Sequence, residues 1–588
     1  MRRRAVLTGM AALSAAPLLS GTGHAEETAG TPTGPPTVTP QDIRFPRRPP
    51  VLRPGTAAEA GLTPEHLAEL IPELTGHMHT SPPSFPGAVV LVARHGVVAE
   101  TAAIGHAVRY ASWDDENDVP VALPADQWVP MTTDTIFDMA SVTKLFTSVL
   151  ATQLVWEGSL DPDAPVTRYL PEFASLDPDK AAVTVDQLYR HVSGQIAFIN
   201  MYSLPDDEAR MRAIYARPLQ REPGSGYEYS DLNLIVLAEV MCRITGDTLD
   251  GMVAARITGP LGMTDTGFNP PEDRWHRVAA TEYQPWTGRG MIRGSVHDEN
   301  AWSFGGVAGH AGIFSTAADL AVFGQTVLNG GEYDGVRILP QDAVRAMITN
   351  TNAEFGPSAA RGIGWQIDQR FYMDALTSPV TAGHTGYTGT SITVDPLSGT
   401  LLVLLTNRVH PTREWGTVST YRRGPARVVA RSVPVEPRHG RRAWFGGQRD
   451  GFTATLTAPM RRALDDGSAE FSLWYDTEST DHARLLASPD GTTWTAVDLT
   501  VETDDHRWST TDGALAGFQG RQWCRAHGDL PAGTTVLRWS YESDPAYQGR
   551  GVYITDVRVR DGHRLVFDSR RPRDDDAFVA VGWTRARD

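Results

Sequence analysis

Residues 87–107, GAVVLVARHGVVAETAAIGHA, place two apolar runs on either side of Arg94-His95-Gly96. This pattern predicts a β-hairpin. A different period follows. From Ser141 the apolar positions Leu145, Phe146, Val149, Leu150, Leu154 and Val155 recur at helical spacing, and Gly158 marks the end of the helix. Residues 160–380 mix helical stretches with Gly/Pro loops. The strand pattern returns in TSITVDPLSGTLLVLLTNR (390–408), with Asp395-Pro396 and Ser398-Gly399 at the turn. Strands at both ends with helices between predict an α+β fold, an antiparallel sheet flanked by a helical subdomain, in which the N- and C-terminal strands complete one sheet. VPVEPRHGRR (433–442) reads as a linker. Beyond it, short alternating stretches such as AEFSLWYD, TVLRWSYES and GVYITDVRVRDG predict a second, all-β domain over 443–588.

The remaining segments are assigned by composition. Arg2, Arg3 and Arg4 precede a weakly hydrophobic, Ala/Gly-rich run that ends in GHA at Ala25. This is the layout of an export signal over 1–25, of the twin-arginine or general secretory type, and the expected location is extracellular. Residues 26–55 are rich in Pro, Thr and Gly and read as a disordered leader, which leaves 56–432 as the first domain. No later stretch is long and apolar enough to span a bilayer. The net charge of −17 over 588 residues argues against a nucleic-acid partner. Cys242 and Cys524 fall in different predicted domains, so two free thiols are expected.

Candidate chemistry begins with DMASVTKLF (138–146). Ser141 and Lys144 stand almost one helical turn apart and share a face. On a solvated face the pair is unremarkable; in a buried cleft the lysine can lose its proton and act as a base. A serine hydroxyl needs such a base, and the leaving group needs an acid. Two further segments offer partners. Tyr229-Ser230-Asp231 follows a Pro-Gly loop and precedes a helix, and His384-Thr385-Gly386 leads into a strand.

The ordered set Ser-x-x-Lys, Tyr-x-Asp and His-Thr-Gly resembles the serine β-lactamase and penicillin-binding protein superfamily. The nearest branch is that of class C β-lactamases, DD-peptidases and related esterases, and the likeness spans roughly 56–430. It implies a β-lactamase-like fold and an acyl-enzyme formed on Ser141. Lys144 and Tyr229 would be the general bases. The backbone N–H groups of Ser141 and Tyr387 would form the oxyanion hole. His384 would hold a substrate carboxylate or orient Tyr229, and Asp231, Thr385 and Gly386 would line the substrate site. No cofactor or metal is implied.

Two positions depart from the branch. Asp231 stands where Asn is usual and, ionised, cannot donate a hydrogen bond to an acyl side chain. His384 replaces the commoner Lys. Both weaken the expectation of an efficient β-lactamase. VHDENAWSFGGVAGHAG (296–312) resembles exported β-lactamase-like hydrolases of cell-wall turnover, in which His310 or His297 would line the pocket; the alternatives are that they hydrogen-bond loops around the sheet edge or, more weakly, that His297, Asp298 and His310 hold a metal. His191 is expected to be structural.

The domain at 443–588 resembles the jelly-roll module of immune inhibitor A-type and MAM-like proteins. That likeness implies Trp494 packed inward and a module that contacts glycan or protein or shields the first domain. Asp476, Glu478, Asp544 and Asp556 are weighed as Ca²⁺ ligands against a solvated acidic rim. The function expected from these readings is a secreted serine hydrolase of peptidoglycan-derived peptides, of carboxypeptidase or muropeptide amidase type. The alternatives are a promiscuous carboxylesterase or weak β-lactamase, and a low-turnover binding or β-lactam-sensing protein.

Overall fold

The computed structural model describes residues 34–415, 419–440 and 442–587. The export signal lies outside them. An eight-stranded sheet forms the backbone of the first domain, with the order Arg53–Pro54, Val97–Val108, Gly87–Arg94, Thr400–Thr406, Ser391–Asp395, Ala382–Thr385 and Gln366–Ile367, and with Val129–Pro130 added to Val97–Val108. The predicted hairpin forms with Arg94 opposite Val97. Thr400–Thr406 runs antiparallel to Gly87–Arg94, so segments three hundred residues apart in sequence meet in the centre of the sheet.

Both faces of these central strands are covered, which explains why their sequences are almost continuously apolar. Val89, Leu91, Val403 and Leu405 pack with Phe146, Leu150 and Phe323 on one side. Ala88, Val90, Val92, Leu402 and Leu404 pack with Leu70, Leu74, Tyr421 and Val429 on the other. The helix Thr143–Trp156 is buried all round from Thr143 to Leu154, where the sequence predicted a single apolar face. Two of its threonines turn to backbone acceptors instead: Thr147 Oγ1 donates to Gly309 O (2.8 Å) and Thr152 Oγ1 to Ser148 O (2.8 Å).

Two segments differ from their expected looseness. Residues 34–55, assigned to a disordered leader, are docked: Ile43 is buried, the Arg345 guanidinium carbon lies 4.7 Å from the Phe45 ring centroid, and Arg53 pairs with Val97. Proline-rich chain has less conformational entropy to lose on ordering, so a few apolar anchors suffice. The expected linker is likewise fastened. Val433 and Val435 are buried, and Trp523 Nε1 donates to Glu436 O (2.7 Å).

The C-terminal domain consists of two largely antiparallel sheets of eight and six strands. Phe471, Leu485, Trp539, Ile554 and Phe567 fill the space between them. Trp494 is half-buried, with the Arg538 guanidinium 3.8 Å from its ring centroid, so it lies under an arginine and not in the interior. Of the four acidic residues weighed for Ca²⁺, Asp476 is engaged by Arg521 and Asp556 by His439. Glu478 and Asp544 converge with Asp481 instead. Cys242 and Cys524 are both free thiols. The two domains are joined by Arg521, whose Nη1 lies 2.7 Å from Asp395 of the first and whose Nε lies 2.9 Å from Asp476 of the second. No helix among the described residues is long and apolar enough to cross a membrane.

Candidate active site

The site is built outward from a sharp turn. Phe137–Asp138 pairs with Ile313–Ser315, and the chain then reverses at Ala140, whose φ is +45°. Ser141 follows on the single 3₁₀ turn Ala140–Val142, which feeds the helix Thr143–Trp156. A positive φ at alanine is a strained conformation that the surroundings must hold. Asp138 supplies the hold: its carboxylate accepts from Ala140 N (2.8 Å) and from His297 N (2.6 Å). Burial pushes the Asp138 carboxyl above the usual carboxylate range, against the opposing pull of those two N–H groups.

Lys144 projects from the first helical turn into a fully enclosed position. Its ammonium donates to Ser141 Oγ (2.9 Å) and His310 O (3.0 Å) and lies 2.8 Å from Asp231 Oδ1. Burial alone favours the neutral amine, but Asp231 and Tyr229 outweigh it and the pKa is raised above the ordinary lysine value. The resting lysine is therefore an ammonium. The carboxylate at position 231 offsets the desolvation on which the base role expected of Lys144 depends.

Tyr229 sits in the loop that enters the helix Asp231–Thr245. Its ring centroid is 4.9 Å from Lys144 Nζ, 5.2 Å from the Arg361 guanidinium carbon, 4.7 Å from the His191 ring and 6.2 Å from the His384 ring. His191 fixes this loop by accepting from Ser230 N (3.1 Å), a positioning task consistent with the structural role expected of it. Burial, reinforced by Arg361 and Lys144, keeps His191 neutral.

His384 is also committed. Its Nδ1 is 2.8 Å from Thr385 O and its Nε2 is 3.3 Å from Arg361 Nη1. An arginine can only donate, so Nε2 accepts and Nδ1 carries the proton. Burial first, then Arg361 and Lys144, hold the imidazole well below its ordinary pKa. A neutral ring with both nitrogens engaged has nothing left for a substrate carboxylate, which corrects that part of the expectation.

The turn after His384 abuts the Ser141 turn. A Cβ on Gly386 would lie 2.4 Å from Met139 O and 2.1 Å from Thr390 Oγ1, so only glycine fits. Arg422 Nη2 donates to Gly386 O (2.8 Å) and Arg408 Nη1 to Tyr387 O (2.9 Å). Because a trans peptide points its N–H opposite its carbonyl, the Tyr387 N–H is directed away from Arg422. Thr385 is half-buried, and the Tyr387 side chain is exposed.

His310 lies below the site and not on its rim. It is 1% exposed, its carbonyl holds Lys144, and its Nε2 is 2.9 Å from Asp298 Oδ1. His297 instead pairs with Glu282 (2.9 Å), which Arg413 also clamps. Asp231, Asp298 and His310 bring ligand atoms within 4.8 Å of one another, a different trio from the one weighed in the sequence. The Lys144 ammonium already occupies the Asp231 carboxylate, so this group does not suit a second cation. Sequence reasoning passed over Arg361, Arg408, Arg422 and Glu282; none stands in a pattern that sets it apart from a surface charge. Asp138 stands three residues before Ser141, in the segment DMASVTKLF.

Comparison with known proteins bears on this geometry. The family model described as Beta-lactamase matches residues 76–424. A curated protein of Escherichia coli O157:H7 named "Putative D-alanyl-D-alanine carboxypeptidase" is 33% identical over 392 residues, covering 61% of this chain and 86% of its own. One of the same name from Salmonella agona is 33% identical over 356 residues, covering 55% and 79%. Among solved structures, a class C beta-lactamase aligns with a TM-score of 0.47 at 18% identity over 61% of this chain and 94% of its own. A family VIII carboxylesterase aligns with a TM-score of 0.48 at 20% identity over 63% and 98%. By the family match and these curated relatives, the chain belongs to the Beta-lactamase family and is a serine hydrolase.

Proposed function

We propose that the protein is an exported serine hydrolase that acylates Ser141 and removes a terminal residue from cell-wall-derived peptides. The observation that carries this reading is the meeting of the half-buried Ser141 hydroxyl and Tyr229 ring around the buried Lys144 ammonium, drawn from two distant segments. Lys144, paired with Asp231, orients Ser141 Oγ. Tyr229 in its phenolate form takes the Ser141 proton as Oγ bonds to the substrate carbonyl carbon. The Ser141 and Tyr387 N–H groups receive the negative charge that develops on the carbonyl oxygen, a contribution worth about 3–4 kcal/mol for a donor of this kind. The C–N bond then breaks, the leaving amine takes the proton from Tyr229, and water releases the acyl group by the same route. The names of the curated relatives support a D-alanyl terminus as the leaving residue.

Incubation with digested peptidoglycan, read by mass, tests this. Loss of one alanine from stem peptides, abolished by Ser141→Ala, is the expected result; unchanged muropeptides, or equal turnover by Ser141→Ala, contradict it. A second reading, carboxylesterase, is favoured by the absence of a free His384 nitrogen for a substrate carboxylate and by Asp231 in place of an amide. Turnover of short aryl esters with muropeptides left intact selects it. The C-terminal domain is proposed as an accessory β-sandwich of jelly-roll type that contacts glycan or protein.

A further inference from the structure

The charges around Tyr229 do not balance in the way the three motifs suggest. Lys144 faces the phenol from the Ser141 helix, but Asp231, two residues along the chain from Tyr229, pairs with it at 2.8 Å and neutralises it. Asp298 and His310 form a second couple behind Asp231. His191 and His384, from the loops on either side, are neutral rings. Arg361 is left. It is 2% exposed, and its hydrogen bonds run to Gly364 O (3.0 Å), His384 Nε2 (3.3 Å) and Tyr227 OH (3.3 Å), none of them a carboxylate. Its Nε is buried without a partner, and its guanidinium carbon stands 5.2 Å from the Tyr229 ring centroid. A buried, uncompensated guanidinium is costly unless an anion answers it.

We propose that Tyr229 is that anion: Arg361 is the positioning cation that holds the phenol in its ionised form, while His384 serves as an uncharged spacer between the guanidinium and the substrate cleft. Arg361 stands 23 positions upstream of His384 in the chain and reaches the phenol only through the fold. This rests on the reading of Tyr229 as the proton acceptor. Arg361 acts through Tyr229 and touches no substrate. An arginine suits this task because it keeps its charge when buried, where a histidine loses it.

Two measurements test it on the full chain. The first is the pH profile of kcat/KM on a neutral aryl ester, which has no carboxylate to bind. Arg361→Gln is expected to displace the acidic limb upward by about one pH unit or more and to lower neutral-pH kcat/KM at least about tenfold, with the profiles converging at high pH. Arg361→Lys, which keeps the charge, is expected to stay near the wild-type limb. The second is tyrosinate absorbance at neutral pH, taken as wild type minus Tyr229→Phe. It is expected in wild type and in Arg361→Lys and absent in Arg361→Gln. An acidic limb that ignores Arg361→Gln, or no tyrosinate difference in the wild type, overturns the proposal. A raised KM confined to carboxylate-bearing substrates also overturns it, by marking Arg361 as a substrate contact. Ser141→Ala separates the two failures. Turnover independent of Ser141 sinks the hydrolase mechanism itself, whereas Ser141-dependent turnover indifferent to Arg361 sinks only this inference.

Discussion

Asp231 places a carboxylate oxygen 2.8 Å from the Lys144 ammonium, inside the crevice where Lys144 also touches Ser141. This contact opposes the effect of burial and raises the Lys144 pKa above the ordinary lysine value. The Asp231 carboxylate is thus held by an internal cation and is not left bare.

Asp231→Asn is therefore expected to leave Lys144 as a buried ammonium that has lost its counter-ion. Stability should fall by about 1–3 kcal/mol, and the Lys144 pKa should drop because burial is then less opposed. The amide gains a donor that the carboxylate lacks, so acylation by β-lactams with an amide side chain should quicken several-fold relative to aryl esters. Thermal unfolding and time-resolved adduct mass check the two halves; unchanged β-lactam acylation contradicts the second.

The junction between the domains gives an independent prediction. Arg521 is enclosed with Asp395 and Asp476, and Thr377 O accepts a further bond at 2.7 Å. Arg521→Met removes the directly paired cation from two buried carboxylates, at a cost of about 3–5 kcal/mol. Calorimetry should show one concerted transition in the wild type resolve into two in the variant. A single transition at the wild-type temperature argues that the clamp contributes nothing.

Stability should also carry a pH signature from the C-terminal domain. Burial first, then the neighbouring Glu478 and Asp544 carboxylates, push Asp481 up to about 7. The folded form thus binds a proton more tightly than the unfolded chain, whose aspartates titrate near about 3.9. The resulting stabilisation is complete below about pH 4 and is lost as pH rises through about 7, on the order of 2 kcal/mol in all. Asp481→Asn should flatten this slope. A wild-type slope of the opposite sign between pH 4 and 7 that disappears in the same variant counts against it.

Much of this molecule can be read from its sequence, and the boundary has a physical origin. The hairpins at 87–107 and 390–408 announce themselves because alternation and turn chemistry are local. Ser141, Lys144, Tyr229 and His384 stand out because their chemistry is tied to short spacings. What the sequence hides is pairing at a distance. Arg361 meets His384 and Tyr227 only after folding, and its lack of a carboxylate cannot be seen from RGIGW. The sequence leaves open whether Lys144 is buried, and the direction of the Asp231 carboxylate cannot be read from it at all. Residues 34–55 looked disordered by composition, yet Ile43 and Arg53 find docking sites on the first domain.

The central claim is that an alcohol at Ser141 becomes acylated in this crevice. Intact-mass spectrometry of the wild type and of Ser141→Ala after exposure to a serine-directed acylating probe tests it most directly. One adduct per chain, mapped to Ser141 and absent from Ser141→Ala, is the predicted result; a wild type that turns over substrate with no adduct at Ser141, or an adduct that persists in Ser141→Ala, contradicts the account.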